Sequence, residues 1–223
     1  MIEIKNLNKI YLKGKKNMVH ALNNINLKID DRKTVAIIGE SGAGKSTLLH
    51  IMSCIDNFDG EYYLDNIDIN KLSESKKSKL RSSKIGIVLQ DFALIDDFTV
   101  FENVMTPLYF NKKIKDKKGS VMRALKKTGI VSLKAKKVSQ LSGGQKQRVA
   151  ISRALVTSPE YIFADEPTGS LDSKTSEEIV KMLFDLNRNG ITIVIVTHNL
   201  EIANQCHHII EIKDGNIIKD ICS

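Results

Sequence analysis

Cysteine is scarce in these 223 residues. The three that occur, Cys54, Cys206 and Cys222, are odd in number, far apart and without C-x-x-C spacing. That argues against a disulfide framework and suggests no zinc site, so they read as reduced, ordinary residues. Long apolar runs are missing too: the longest nearly uninterrupted one, 191–197, falls far short of the ~18 residues that span a bilayer. The expectation is a chain that does not cross a membrane by itself. Its first residues, Met1-Ile2-Glu3-Ile4-Lys5, lack the basic and apolar regions of a secretory signal, so the expected location is the cytoplasm. Aromatic residues amount to only 5%, and that shortage bears on the charge. The net charge is +8, yet residues 71–140 hold 17 Lys and Arg against 6 Asp and Glu, while the remainder holds 17 against 20. A basic stretch without interleaved aromatics offers nucleic-acid bases nothing to stack on. Nucleic acid therefore ranks below a solvated helical face and below anionic lipid headgroups as the reason for the excess.

What the chain does contain is centred on Gly39 to Thr47, Gly-Glu-Ser-Gly-Ala-Gly-Lys-Ser-Thr, a complete Walker A phosphate loop. The β-branched run Thr34 to Ile38 predicts a buried strand before it, and Thr47 to Met52 a helix after it, which is the context the motif requires. Gly39, Gly42 and Gly44 let the backbone approach an anion, and the helix N-terminus adds its amides. Lys45 is expected to reach the β- and γ-phosphates, and the Ser46 hydroxyl to ligate a bridging Mg²⁺. With Ser41 and Thr47 these residues are the candidate nucleotide-binding set. The length fits one core with a smaller subdomain set into it.

Along the chain, Met1 to Leu12 and Ile25 to Ile29 alternate apolar and polar residues and predict a small antiparallel sheet. Tyr11 there reads either as a half-buried strand residue or as a stacking partner for adenine. Asp30 to Lys33 is expected to be a hairpin turn leading into the phosphate-loop strand. Gly60 to Ile69 predicts a strand pair turning at Asp65-Asn66, and Lys71 to Lys84 a surface helix. Ile85 to Leu89 is a buried-strand run ending at Gln90, whose amide stands where open α/β sheets hold their ligands; it is a candidate for contact with Mg²⁺ or the attacking water. The apolar residues Phe92 to Ile95 beyond it read as a docking surface or as a loop folded onto the core. A capping box at Thr99 and Glu102 starts a helix expected to be disturbed at Pro107, and a second helix is predicted over Ser120 to Thr128.

Leu141-Ser142-Gly143-Gly144-Gln145 is a second capping box, with two glycines in its first turn. Bare amides at that helix start make a second anion site. Pro159 to Glu166 reads as an apolar strand delivering two adjacent carboxylates, Asp165 and Glu166, a Walker B pattern followed by a glutamate. Asp165 is expected in the Mg²⁺ shell and Glu166 beside the attacking water. A helix over Lys174 to Asn187 follows, with Ile179, Met182, Leu183 and Leu186 inward, then a central strand, Ile191 to Thr197, ending at His198. That histidine shares a sheet edge with Gln90 and Asp165, which favours contact with the γ-phosphate. A final hairpin is expected over Ile209 to Ile218, turning at Asp214-Gly215.

In order along the whole chain, these motifs with Ser170-Leu171-Asp172 resemble the ATP-binding cassette ATPases. The resemblance implies an α/β fold: a P-loop NTPase core with a mixed central sheet, an N-terminal antiparallel β subdomain and an inserted α-helical subdomain, here about residues 73–138 of a single domain over 1–223. It implies ATP and Mg²⁺ as ligands, with Mg²⁺ the only metal, and a homodimer in which ATP on Lys45 of one chain is closed over by the Ser142 to Gln145 signature of the other. Tyr11 matches the adenine-stacking position, Glu166 the catalytic base, His198 the switch histidine and Asp172 a contact across the dimer. Ala164 to Ser173, Phe98 to Val104 and Thr197-His198 are similar to the branch of macrolide exporters, lipoprotein-release and antimicrobial-peptide export ATPases. Three positions depart from the pattern: the turn before the Walker A strand lacks its Gly-Glu, Lys137 replaces a proline, and Asn199 replaces an acidic residue. With Ser223 just after the last hairpin, the expectation is a cassette without the added C-terminal regulatory domain of several importer ATPases, which favours export or membrane-mechanical work. The expected partner is a separate transmembrane permease holding the protein on the inner face of the membrane, with no nucleic acid. The alternative is a non-transport ATPase of the same family, transmitting force at the membrane or acting on nucleic acid.

Overall fold

Two kinds of strand follow from two spacings of apolar residues. The computed structural model describes residues 1–222. In chain order its elements are β1 (Ile2–Tyr11), β2 (Val19–Ile29), β3 (Thr34–Ile38), α1 (Lys45–Met52), β4 (Asp59–Leu64), β5 (Ile67–Asp68), α2 (Glu74–Lys84), β6 (Ile85–Val88), α3 (Val100–Phe110), α4 (Lys117–Lys127), α5 (Gly143–Leu155), β7 (Tyr161–Asp165), α6 (Ser173–Arg188), β8 (Thr192–Val196), α7 (Leu200–Ala203), β9 (His208–Lys213) and β10 (Asn216–Cys222). They fall into two compact units, one formed by Met1–Ser78 with the chain from Thr192 onward, the other by Lys79–Ile191.

In the first unit the alternating strands make an antiparallel sheet. Ile2 and Ile4 of β1 face Ile29 and Leu27 of β2 on one side and Leu64 and Tyr62 of β4 on the other, all buried. Asparagines manage the irregular register: Asn6 and Asn24 take left-handed backbone angles, and their amides donate to the side chains of Asn26 and Asn8 instead of the ladder. The uninterrupted runs β3 and β8 are buried at every residue and pair parallel, Ile37 opposite Val196. β9 lies parallel on the other side of β3, and β10 closes the hairpin. Leu48, Leu49, Ile51 and Met52 of α1 are fully buried, each contributing about 1.5–3 kcal/mol of hydrophobic stabilisation. The parallel pairing puts the phosphate loop after β3 and His198 after β8 on one edge.

In the second unit β6 and β7 pair parallel, Val88 opposite Ala164, so Gln90 and Asp165 share an edge. α5 packs against β6, α3, α4 and α6. A buried hydroxyl pair, Thr128 and Ser152 at 2.6 Å, joins the end of α4 to α5, and Arg148 donates to the Thr128 carbonyl at 2.9 Å.

Several local expectations change. Pro107 does not end α3, which runs on to Phe110; the capping box at Thr99 and Glu102 and the buried Val100, Val104 and Leu108 hold it through one missing N–H. α4 begins earlier than expected because Asp116 caps it through Gly119. Met182 is only half-buried, and Val180 takes the inward place. The turn at Asp30 to Lys33 is not a hairpin: β2 pairs with β1, and β3 with β8 and β9.

Candidate functional site

The first unit carries the phosphate loop. Gly44 precedes α1 with φ 106°, and a Cβ there would stand 2.5 Å from the Ala21 carbonyl oxygen, so only glycine fits. No side chain caps α1, which leaves its first amides to an anion. Lys45 is buried, and its ammonium donates to the Gly39 and Glu40 carbonyls at 2.9 and 2.8 Å. Two of its three donors thus hold it across the loop whose amides it neighbours. Ser46 is exposed on the first turn.

Tyr11, at the end of β1, donates to Asp56 at 2.6 Å, which ties it to the segment that follows α1. Partial burial, with Asp56 beside it, pushes its phenol above the usual range. Lys9 lies 4.7 Å from the ring centroid and donates to the Asn57 carbonyl. Tyr11 is a strand residue but is more open than the half-buried reading has it, 36% exposed, which leaves surface for stacking. His198 is exposed two residues past β8.

The second unit carries the carboxylates. Asp165 ends β7, buried, and its Oδ1 accepts no hydrogen bond among the described residues. A buried carboxylate oxygen without a donor costs free energy unless a cation or water meets it. Glu166 follows with φ 43°, a left-handed angle that costs a non-glycine residue about 1–3 kcal/mol. Its carbonyl accepts from Gly169 at 3.1 Å, and a Cβ on Gly169 would lie 3.6 Å from the Glu166 Cβ and 3.9 Å from the Gln90 amide nitrogen. Gln90 and Glu166 therefore flank one glycine.

Ser142 caps α5 in a reciprocal box: its hydroxyl accepts from the Gln145 amide, and the Gln145 side chain accepts from the Ser142 amide at 3.1 Å. Gly144 lies on the first turn, where a Cβ would come 2.5 Å from the Thr175 methyl, and a Cβ on Gly143 would touch Leu171 at 3.4 Å. Thr175 is fixed by Asp172, which caps α6 through the Thr175 amide at 3.0 Å and hydroxyl at 2.7 Å. Those bonds hold the Asp172 carboxyl below the usual range.

Sequence reasoning missed two supports. Thr175 carried a signal, since Asp172 and Thr175 have cap spacing. Arg153 carried none. Its guanidinium, pushed below its usual pKa by burial, donates to the Phe92 and Ala93 carbonyls, and both residues have left-handed backbone angles. The stretch after Gln90 is thus clamped to α5, with Ile95 left 43% exposed.

Among the described residues no helix is long and apolar enough to cross a membrane. The ABC transporter family model matches residues 22–169. The macrolide export ATP-binding/permease protein MacB of Mannheimia succiniciproducens is 45% identical over 99% of the chain, and the chain spans only 34% of that protein. The ABC transporter ATP-binding protein MJ0796 of Methanocaldococcus jannaschii is 44% identical over 99% of the chain and 96% of its own length. A dimeric structure of the MJ0796 cassette in a post-hydrolysis state with ADP and Pi superposes with a TM-score of 0.91 at 41% identity, covering 100% of this chain and 98% of that one. The α/β fold is that of these cassettes. The chain belongs to the ABC transporter family and is one of its ATP-binding, ATP-hydrolysing cassettes.

Proposed function

We propose that the protein works as a homodimer, its two copies closing over ATP, to power export or extraction of a peptide, antibiotic or lipid-linked substrate through a separate membrane permease. The dimeric structures of MJ0796, an ABC transporter ATP-binding protein, support the pairing. The macrolide exporter's name joins ATP-binding and permease functions and supports the partner's kind. Peripheral placement on the cytoplasmic membrane face follows from that partner. Residues 73–138 form the helical subdomain of this single domain, and the clamped Phe92 to Ile95 stretch is the proposed permease contact.

The nucleotide is held by Gly39, Ser41, Gly42, Gly44, Lys45, Ser46 and Thr47, with Tyr11 against the adenine. Lys45 exchanges its carbonyl partners for β- and γ-phosphate oxygens, a charge-assisted replacement. The partner copy contributes Ser142, Gly143, Gly144 and Gln145 around the γ-phosphate. Ser46, Gln90 and Asp165 are all oxygen donors, the type that suits Mg²⁺, and the buried, unpaired Asp165 oxygen fits such a cation. When bound, Mg²⁺ neutralises charge on the β- and γ-phosphates. Glu166 accepts the proton of the attacking water, Gln90 orients that water, and His198 contacts the γ-phosphate.

The observation that carries this reading is the Asp165 carboxylate beside Glu166, one buried without a hydrogen-bond donor at Oδ1 and the other held at a strained backbone angle beside Gln90. Glu166→Gln tests it. The variant should bind ATP, hydrolyse it at least about a hundredfold more slowly, and accumulate as a dimer in size-exclusion chromatography with light scattering. Near-normal turnover overturns the base assignment, and a variant that stays monomeric with ATP overturns the closed dimer.

A further inference from the structure

The C-terminal hairpin brings together three side chains that the nucleotide machinery does not use. β9 and β10 pair with His208 opposite Cys222 and Ile210 opposite Asp220. Residues two apart on a strand share a face, so His208, Asp220 and Cys222 project from one side of the hairpin. An imidazole nitrogen, a carboxylate oxygen and the sulfur lie within 4.8 Å of one another. Sequence spacing hides this set, because separations of twelve and fourteen residues are closed up by strand pairing alone.

His208 is the fixed member. It is 5% exposed, β9 pairs it opposite Val35 in the buried β3, and its Nε2 is hydrogen-bonded to the Asp220 carboxylate. Asp220 and Cys222 are exposed, so an ion from solvent can reach the group and two ligands can adjust to it. A carboxylate on a buried histidine nitrogen is satisfied without a metal. The thiol on the same face is what changes the chemistry of the set.

We propose that His208, Asp220 and Cys222 form a site for one divalent cation of the zinc class. Imidazole and thiolate together select a borderline or soft ion, and a Cys–His–carboxylate set is foreign to Mg²⁺ and Ca²⁺. Three protein ligands leave the fourth tetrahedral position to water or another donor. On binding, the cation takes the place of the proton shared by His208 and Asp220, and Cys222 releases its thiol proton to solvent. The site departs from the expectation of Mg²⁺ alone and is independent of the nucleotide reading.

The test is a titration of the full chain, reduced and free of nucleotide and Mg²⁺, with Co²⁺ as a spectroscopic stand-in and then with Zn²⁺. One Co²⁺ per chain should give a near-ultraviolet thiolate-to-metal band and strong tetrahedral visible bands, and Zn²⁺ should displace it. Cys222→Ala should abolish the thiolate band, and Cys222→Ala and Asp220→Asn should each weaken Zn²⁺ binding at least about tenfold. Changing the buried His208 disturbs β9 itself, so the two exposed ligands carry the test, with metal-free melting temperatures checked to match the unsubstituted chain. Absence of the thiolate band at saturating Co²⁺ overturns the proposal. Equal Zn²⁺ affinity in Cys222→Ala and the unsubstituted chain overturns it too.

Discussion

At the start of α1 the residue before the helix is a glycine in the left-handed region and no side chain caps the helix, whereas at the start of α5 a serine and a glutamine cap each other's amides. Both helix starts read as anion sites from sequence, yet they are built differently. α1 gets its shape from backbone: Gly44 is pressed against the Ala21 carbonyl and Lys45 is folded onto two loop carbonyls. α5 gets its shape from side chains: Ser142 and Gln145 close the box, and Gly144 leaves room for Thr175, itself held by Asp172. A backbone-built site is rigid and tolerates no substitution. A side-chain-built one can be retuned through its neighbours.

Gly44→Ala is the harshest way to test that contrast. The new Cβ meets a main-chain oxygen at 2.5 Å and forces φ 106° on an L-residue, and neither can relax without moving β2. The expected loss is about 2–4 kcal/mol of stability, together with nucleotide binding, read by urea denaturation and by titration with a fluorescent ATP analogue. Normal nucleotide affinity in a folded variant would mean that the loop is softer than its geometry implies.

Gly144→Ala should do less. Its Cβ meets a side-chain methyl, not backbone, so the cost is the tilt of the first turn of α5, about 1–3 kcal/mol if the fit is not restored. ATP affinity of the separate chain should hold, while turnover falls about tenfold as the proposed contact with the partner's nucleotide is displaced. Adding Thr175→Ser removes the methyl but keeps the hydroxyl bond to Asp172, and should restore most of both. A double variant as slow as the single one would move the glycine's role from fitting Thr175 to meeting the ligand directly.

The contrast also explains what could be read from the chain before folding. Capping boxes at Thr99 and Ser142 and the type of strand at β3, β7 and β8 depend on residues three apart or on an unbroken run, so they were legible. Pro107 misled because its penalty is local while the burial of Val104 and Leu108 that outweighs it is not. The turn before β3 looked like a hairpin because sequence says nothing about which sheet a strand will join. Arg153 was invisible for the same reason: its partners are carbonyls about sixty residues away. The residues of the candidate site could be named from their motifs, but the supports that fix them, Thr175 against Gly144 and Asp56 on Tyr11, come from chain segments that meet only on folding.

The mildest test acts through Asp172, the support behind that support. Its carboxyl lies below the ordinary value of 3.8 because the Thr175 hydroxyl, first, and the Thr175 amide donate to its charged form. A depressed folded-state pKa stabilises the fold fully above the unfolded value, and the benefit disappears as pH falls below 3.8 through the folded value. Asp172→Asn keeps an amide oxygen for the cap but no titration. From pH 7 to 5 the two proteins should melt with a constant small offset, and below pH 4 the unsubstituted chain should lose stability more steeply, so that the curves converge. Glu102 and Asp116 are depressed by similar cap bonds, and because both proteins retain them, the difference in slope isolates Asp172. If the offset stays constant down to pH 3, Thr175 is held by its packing against α5 and not by the charge on Asp172, and the side-chain-built site is stiffer than its hydrogen bonds suggest.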